Sequence, residues 1–383
     1  SFNIEKISLL SCNVGKDINF IKTLSNLFNC SVDYSDSLVG HKSLGGSWDL
    51  KTYIHIEKAS NNIVSFKSKT LPFSSAVVHN WKHTLPLTIS SAQVTAFLAD
   101  PSSFADYSAS SHIIITGQIT HGQATSLNAI NATYIEATIA STTISNLAAI
   151  TVDNASRTSL NKFNVTTSDA SGSAADLNTI NAYTTVAADY ASVTAITSSS
   201  AADVTTLYTA FNNSEVTGLG NETIAVSDTT ISAATVNIIN GYTTGAVTLA
   251  ATTLTGSASD INTAYAANTA GTLAGLGNEA VTLSDTSITA TDLNLVNTNT
   301  SGAVNASNVT TISGAYADVN TAYTSTGITG LGDEAVSLTD EDGNTVTEVN
   351  TISAATTGSV TATISDGDMN TLAGITGTGH ALT

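Results

Sequence analysis

The chain has 383 residues, enough for two or three ordinary domains, of which 42% are hydrophobic, 6% aromatic and 11% charged. The apolar residues are mostly Ala, Val, Ile and Leu among Thr, Ser and Asn, a mixture that suits narrow, regular cores and disfavours a conventional large enzyme. No run of about 18 apolar residues occurs, so neither a membrane span nor an intact signal peptide is supported.

Charge divides the chain into two parts. All 11 Lys and Arg lie at or before Lys162, together with 10 Asp and Glu, whereas residues 163–383 carry 20 Asp and Glu and no cation. A stretch without cations cannot neutralise phosphates or bind an anionic lipid surface, so we expect neither nucleic-acid binding nor direct membrane insertion. The lack of trypsin cleavage sites there favours a secreted or cell-surface protein.

Residues 1–75 are predicted to form a partial α/β domain. Ile7–Cys12 is a buried-strand pattern, Lys16–Phe28 has helical spacing, and Ser31–Tyr34 is a second strand, which makes a βαβ unit with parallel strands. The alternating segment 51–58 predicts a strand at the edge of the sheet. The helical stripe comprises Ile18, Ile21, Leu24 and Leu27.

Two motifs in this region resemble a known family. SCNVG at Ser11–Gly15 and SDSLVGHKSLGGSWDL at Ser35–Leu50 resemble the C-terminal half of a domain of unknown function. That domain occurs near the start of very large bacterial secreted and surface proteins with adhesin, cadherin-like or calcium-repeat arrays. The resemblance implies a surface location, and because the family's preceding part is missing, we expect the chain to be a piece of a longer protein.

Cys12 is the only catalytic candidate. Its strand also resembles, more distantly, caspase-like folds, in which this thiol is the nucleophile and a histidine from an earlier strand is its base. No histidine precedes Cys12, so His41 or His55 would have to serve, and a thiol with a pKa of about 8.5 needs such a neighbour to react at neutral pH. We therefore expect no enzyme, keep a cysteine hydrolase as a remote alternative, and interpret Cys12 and Cys30 as structural.

The chain from residue 116 to 383 is predicted to be a repeat array, preceded by a connector and a first degenerate repeat at 76–115. Each repeat has an apolar anchor, usually followed by Asn. Either Leu147 or Leu160 is expected to hold one missing anchor. The anchors are Val94, Leu127, Leu177, Val204, Val236, Ile261, Leu293, Val319, Val349 and Met369.

The spacing of the anchors alternates between long and short. From Leu177 to Val349 the steps range from about 25 to about 32 residues, so that a long and a short repeat together span about 57 residues. The marker GLGNE or GLGDE, which begins at Gly218, Gly275 and Gly330, recurs with the same paired period. Two independent features therefore define the repeat.

One repeat is predicted to be a strand, a turn and a short helix. Val281 and Leu283 alternate with polar residues as in a half-buried strand, and Thr289 with Asp292 forms a capping box at a helix start. Stacked repeats bury the apolar stripe that none buries alone, which predicts a solenoid with parallel strands and one short helix per coil. The alternative is an all-β solenoid with the boxes as turns. Further boxes are Ser90/Gln93, Ser173/Asp176, Ser200/Asp203, Ser257/Asp260, Thr345/Glu348 and Ser365/Asp368.

Other recurrent residues are predicted to be structural. Glycines after the helices are expected to end them in the left-handed conformation. Asn residues three apart are expected to form ladders between stacked coils, and tyrosines after the anchors are expected to lie at the core edge with hydrated hydroxyls. The glycines are Gly241, Gly271 and Gly302, the Asn pairs 178/181, 237/240 and 294/297, and the tyrosines Tyr183, Tyr208, Tyr242, Tyr265 and Tyr323.

Calcium is the one cofactor that the array suggests. Asp340, Asp342 and Asn344 alternate like the start of a calcium loop, although Glu348 is not at its twelfth position. A polar turn that lengthens one coil is the simpler interpretation, and no other cofactor is predicted.

Together these features favour the structural repeat region of a large secreted or cell-surface bacterial protein, acting as an adhesin-type spacer or stalk. GLGNEAVTLSD also resembles Thr, Ala and Asn-rich arrays of giant surface proteins of marine picocyanobacteria. We expect contacts with other copies or with the cell surface or extracellular matrix. The alternative is a subunit of an extracellular fibre that assembles by end-to-end stacking of exposed strand edges.

Overall fold

The computed structural model describes residues 6–9, 18–28, 31–34, 51–53, 86–104, 107, 112–130, 132–150, 161–376 and 381–382. The chain divides into two compact units. The first comprises Ser1–Ser168 and Thr179–Asp189, and the second comprises Asp169–Asn178 and Tyr190–Thr383.

The first unit begins with a three-stranded sheet. Strand β1 (Lys6–Leu9) is followed by helix α1 (Ile18–Phe28) and strand β2 (Ser31–Tyr34), and the two strands pair in parallel. Strand β3 (Lys51–Tyr53) pairs antiparallel to β2 at the edge. The predicted βαβ unit and edge strand are confirmed.

The buried face of α1 differs from the predicted stripe. Ile21 and Ser25 are fully buried, whereas Leu27 is 72% exposed. Residues four apart lie above one another on a helix, so the inward face runs through positions 21 and 25 and leaves position 27 outside. The prediction for Leu27 is therefore wrong.

A second sheet of the first unit consists of four parallel strands in chain order, β4-β5-β6-β7. Each strand alternates buried and less buried residues, as in Tyr134–Ile139, where Ile135, Ala137 and Ile139 are buried. Short helices separate the strands. The elements are β4 (Leu87–Ser90), α2 (Val94–Ala99), β5 (His112–Ile119), α3 (His121–Asn128), β6 (Tyr134–Ile139), α4 (Ile144–Ala148) and β7 (Lys162–Asn164), with single turns of 3-10 helix at Ser91–Gln93 and Pro101–Ser103.

From residue 171 onward short strands and helices continue to alternate. The strands are β8 (Ser171–Gly172), β9 (Ala188–Asp189), β10 (Ala195–Ser199), β11 (Val216–Thr217), β12 (Thr223–Val226), β13 (Thr230–Ser232), β14 (Val247–Leu249), β15 (Thr253–Gly256), β16 (Leu273–Ala274), β17 (Ala280–Leu283), β18 (Ser287–Thr289), β19 (Val304–Asn305), β20 (Thr311–Gly314), β21 (Ile328–Thr329), β22 (Ala335–Leu338), β23 (Val360–Ala362) and β24 (Ala381–Leu382). The helices are α5 (Ala174–Ala182), α6 (Ala201–Asn212), α7 (Ala233–Asn240), α8 (Ala258–Ala270), α9 (Ala290–Asn299), α10 (Tyr316–Thr324), α11 (Val346–Ala355) and α12 (Met369–Leu372).

The second unit contains three parallel sheets of five strands each. Their orders are β8-β10-β12-β14-β16, β13-β15-β17-β19-β21 and β18-β20-β22-β23-β24. Neighbouring strands of a sheet come from successive repeats, so the side chains of equivalent positions form columns. In the second sheet Leu254 pairs with Val281, Val281 with Val304 and Val304 with Ile328, and all four are buried. Successive repeats thus share one aliphatic interior.

Long and short repeats differ by one strand in the middle of the array. We call a coil the segment from the start of one helix to the start of the next. The long coils 201–232 and 258–289 contain three strands, whereas the short coils 233–257 and 290–315 contain two. The alternation of the anchor spacing therefore reflects an extra strand in the long coils of this region.

The predicted anchors lie in the helices and face inward. Every anchor from Val94 to Val349 is fully buried, and Leu147 in α4 fills the missing place, while Leu160 lies outside the described residues. Met369 is 80% exposed, so its assignment as an anchor is wrong. Helix α12 has only four residues, too few for an inward stripe and an outward face.

The second unit is thus α/β, with parallel strands in sheets alternating with short helices, an arrangement consistent with a repeat solenoid. The all-β alternative is wrong, because the segments after the predicted boxes are helical in repeat after repeat. Among the predicted helix-ending glycines only Gly271 is left-handed, with φ of 82°, and Gly241 is right-handed. Helix α9 ends with Thr300, not Gly302, as its capping residue.

Candidate functional site

The predicted calcium residues occupy different environments. Asp340 Oδ2 accepts hydrogen bonds from the backbone N–H of Tyr316 at 2.9 Å and from Asn344 Nδ2 at 2.6 Å. Asp342 is exposed, whereas Asn344 is 1% exposed and its Oδ1 has no hydrogen-bond partner. Within the described ranges no group of three or more His, Cys, Asp or Glu side chains is placed to hold a metal ion. Calcium binding by these residues stays a prediction.

The bond from Tyr316 to Asp340 is one case of a contact that recurs along the array and joins the start of a coil to its last part. The first N–H of a helix has no partner within that helix, and a carboxylate there also interacts favourably with the helix dipole. The carboxylate comes from 20 to 27 residues later in the chain, so it joins the start of a helix to the last part of the same coil. The other cases join Ala201 N to Asp228, Ala258 N to Asp285 and Val346 N to Asp366, at 2.7 to 2.8 Å.

The predicted capping boxes form in two ways. Thr289 Oγ1 accepts from Asp292 N at 3.1 Å, and the Thr289 hydroxyl donates to Asp292 Oδ2 at 2.7 Å. Aspartate thus binds the hydroxyl of the capping residue, not its backbone N–H, which corrects the prediction. Glu348 has one more methylene and does reach Thr345 N, at 2.8 Å. Side-chain length therefore decides whether the box closes.

Most of the boxes predicted from the sequence occur at helix starts. The exception is Ser365/Asp368, because Asp368 is itself the capping residue of α12 and accepts from Asn370 N and Thr371 N. Three caps were not predicted, and none of them has an acidic residue at the third helical position. The additional caps are Thr120/Gln123, Thr143/Asn146 and Ser232/Thr235.

Three glutamates of the GLGNE and GLGDE motifs are buried. Glu222, Glu279 and Glu334 are 0 to 1% exposed. Backbone N–H groups of the same motif donate to each carboxylate, including Gly220 N to Glu222 at 2.9 Å and Gly277 N to Glu279 at 2.7 Å. A buried carboxylate without such donors is strongly unfavourable, so the glycine-rich motif supplies the charge stabilisation that solvent no longer provides.

Tyrosine hydroxyls complete two of these sites. Tyr265 donates to Glu279, and Tyr323 donates to Glu334 Oε2 at 2.9 Å. Burial, and then the bond to the carboxylate, raise the pKa of Tyr265 and Tyr323 well above the ordinary value of a phenol. The prediction of hydrated hydroxyls is wrong for them. It is also wrong for Tyr208, whose hydroxyl is buried without a hydrogen-bond partner and whose ring stacks on Tyr242.

Asparagines join coils through the backbone instead of through one another. Asn237 Nδ2 donates to Asp260 O and Asn294 Nδ2 to Asp318 O, both at 2.9 Å. The first Asn of each predicted pair thus donates a hydrogen bond to a backbone carbonyl of the next helix. These bonds do not join Asn to Asn, so the predicted ladder is wrong for them. Asn178 and Asn350 make the corresponding bonds to Asp203 O and Gly374 O.

A charged and aromatic cluster on the first unit was not predicted. Glu136 Oε1 lies 3.2 Å from His112 Nε2 and 2.9 Å from Lys162 Nζ. Lys162 Nζ lies 4.7 Å from the centre of the Tyr134 ring, on which His112 packs from strand β5. Burial lowers the pKa of His112 despite the opposing effect of Glu136. These residues come from three adjacent strands, so only the strand register brings them together.

Cys12, Cys30, His41 and His55 lie outside the described residues, so the cysteine-hydrolase alternative stays a prediction. None of the helices in the described part of the chain has the length and apolar character needed to cross a membrane. In the second unit, the acidic side chains named above, apart from Asp342, bind backbone groups, hydroxyls and, at Asp340, the amide of Asn344. The chemistry that the geometry supports there is attachment of the chain to itself, within coils and from one coil to the next.

The fold and its recurring contacts define an α/β repeat protein whose polar residues bind one coil to the next. Residues 3–85 match a family model described as Domain of unknown function (DUF4347). The match includes both motifs on which the predicted resemblance rests and covers about a fifth of the chain. No curated protein and no solved structure matches the chain.

Proposed function

We propose that this chain is a structural region of a large secreted or cell-surface bacterial protein, in which the repeats close into a solenoid and act as a spacer or stalk. The main support is that recurrent residue types make equivalent contacts in corresponding repeats of the array. Buried Glu recurs with the paired period, Asp residues bind the first N–H of four helices, and the Asn after most anchors binds a backbone oxygen of the next coil. A spacer needs such regularity, because the load passes through every repeat in turn.

Two further observations support the proposed secreted or cell-surface location. The match to a domain of unknown function agrees with the family resemblance found at the N-terminus. The second unit carries no Lys or Arg, so a trypsin-like protease outside the cell has no cleavage site in it. An adhesin-type role and contacts with matrix or other copies belong to the same proposal.

The test is antibody labelling of intact source cells with a serum raised against the second unit. The proposal expects labelling without permeabilisation, or antigen in the medium, and expects mild trypsin to release a fragment that retains the epitopes. Antigen found only in the soluble fraction of broken cells would contradict it. Electron micrographs of the purified chain that show growing filaments would favour the fibre subunit over the spacer.

A further inference from the structure

Every long coil that carries a buried glutamate is joined to the short coil that follows it by what we call a latch. The latch consists of that glutamate and of a Thr and a Gly of the short coil. In the central latch the Thr300 hydroxyl donates to the backbone oxygen of Glu279 at 2.7 Å and accepts from Gly302 N at 3.0 Å. The other two latches are Glu222 with Thr243 and Gly245, and Glu334 with Thr356 and Gly358.

The glycine of the latch allows a close approach that no other residue permits. A Cβ atom on Gly302 would lie 2.2 Å from the backbone oxygen of Glu279. The equivalent atoms on Gly245 and Gly358 would lie 2.3 and 2.2 Å from the oxygens of Glu222 and Glu334. The short coil therefore packs directly on the backbone of the glutamate motif.

The opposite junction, from a short coil to the next long coil, has no buried carboxylate beneath it. There Asn237 and Asn294 donate to Asp260 O and Asp318 O, and Asn240 and Asn297 donate to the hydroxyls of Thr272 and Ser325. A glycine also lies close to the backbone here, since a Cβ atom on Gly275 would be 2.3 Å from Leu249 O. The difference from the latch is therefore the charge, because these donors are uncharged amides of half-buried asparagines. The two kinds of junction thus alternate along the array.

Because of this difference, the stability of a long coil depends on the short coil that follows it. The carboxylate of Glu279 stays dry only while the short coil covers the motif, because its own donors come from the motif and from Tyr265. Removing the short coil admits water to the charge and weakens those bonds. Removing the long coil that follows a short coil uncovers no such charge.

We infer that the array unfolds in pairs, each made of a long coil and the short coil latched to it, with the boundaries at the short-to-long junctions. This inference goes beyond the proposed spacer role, because it concerns the unit in which the array unfolds under tension. The pairs begin at Ala201, Ala258 and Tyr316. A stalk built this way extends in large increments and re-forms from complete pairs.

The test is to stretch the full chain between handles at its two ends in an optical trap. A pair contains about 57 residues, the spacing of Glu222 and Glu279, so each step lengthens the chain by about 200 Å, compared with about 100 Å for one coil. Steps of about 200 Å from the array are the expected result. Steps of about 100 Å, or loss of the whole array in a single step, would overturn the inference.

Two variants locate the boundary. Gly302→Ala is expected to replace one step of about 200 Å by two of about 100 Å, because it separates the coils of the central pair. The matched control Asn294→Ala alters the opposite junction and is expected to leave all step lengths unchanged. Unchanged steps in Gly302→Ala, or divided steps in Asn294→Ala, would refute the pairing. If Gly302→Ala does not fold, the step length of the unaltered chain tests the pairing by itself. This test is independent of the proposed function, because a cytosolic location of the protein would not change the step length.

Discussion

Replacing Leu293 by Ala is expected to lower the free energy of unfolding of the array by about 4 kcal/mol. The side chain is fully buried in α9, and this helix contacts β18 and β20 as well as the helices before and after it. Loss of three carbon atoms from the interior accounts for about 2.4 kcal/mol. Neighbours on both sides hold the cavity open, which raises the total to about 4 kcal/mol.

The assay is equilibrium unfolding in urea followed by far-ultraviolet circular dichroism. Leu295→Ala is the matched control, since Leu295 lies in the same helix and is 47% exposed. We expect a change within about 0.5 kcal/mol for that variant. Equal losses for the two substitutions would refute the argument that successive coils share an interior to which α9 contributes Leu293.

Three other perturbations address separate contacts. Glu279→Gln is expected to lower the stability of the array by about 1.5–3 kcal/mol in urea, because the ionised acceptor of buried N–H groups is lost, whereas the exposed Glu341→Gln is expected to have little effect; equal effects would contradict this. Thr345→Ala is expected to cost about 1 kcal/mol in thermal unfolding through loss of the cap of α11, and an unchanged transition would count against the cap. Because the pKa of His112 is lowered in the fold, the contribution of this group to stability is present above its unfolded pKa of about 6.5 and is lost as the pH falls through the folded value; His112→Gln is expected to remove that part of the acid dependence, and a titration midpoint by nuclear magnetic resonance above 6.5 would disprove it.

The repeat could be predicted from the sequence because the anchors obey a simple physical rule. A side chain such as Leu293 or Val319 has one favourable place in each coil, so its spacing records the length of the coil directly. The alternation of long and short spacings could be seen in the sequence, but the extra strand that causes it could not. A strand of two or three residues, such as β16 or β18, is too short for its period to stand out.

The buried glutamates show where sequence reasoning fails. Carboxylates are normally exposed, so Glu279 in GLGNE gave no sign of burial beyond the recurrence of its motif. Only the register of the coils shows that Tyr265 and the backbone of Gly277 lie within hydrogen-bond distance of its carboxylate. Asp285 is a similar case, because its partner is Ala258 N, which lies 27 residues earlier at the start of α8.

Cross-linking of neighbouring strands tests most directly whether successive coils pair in register. Thr282 and Asn305 face each other on β17 and β19, and Thr329 follows on β21. In a background with Cys12 and Cys30 replaced by Ser, oxidation is expected to join Thr282→Cys to Asn305→Cys, since adjacent strands lie about 4.8 Å apart. The pair Thr282→Cys with Thr329→Cys, two strands apart, is expected to stay reduced. Cross-linking of the distant pair, or none of the adjacent pair, would contradict the stacked arrangement.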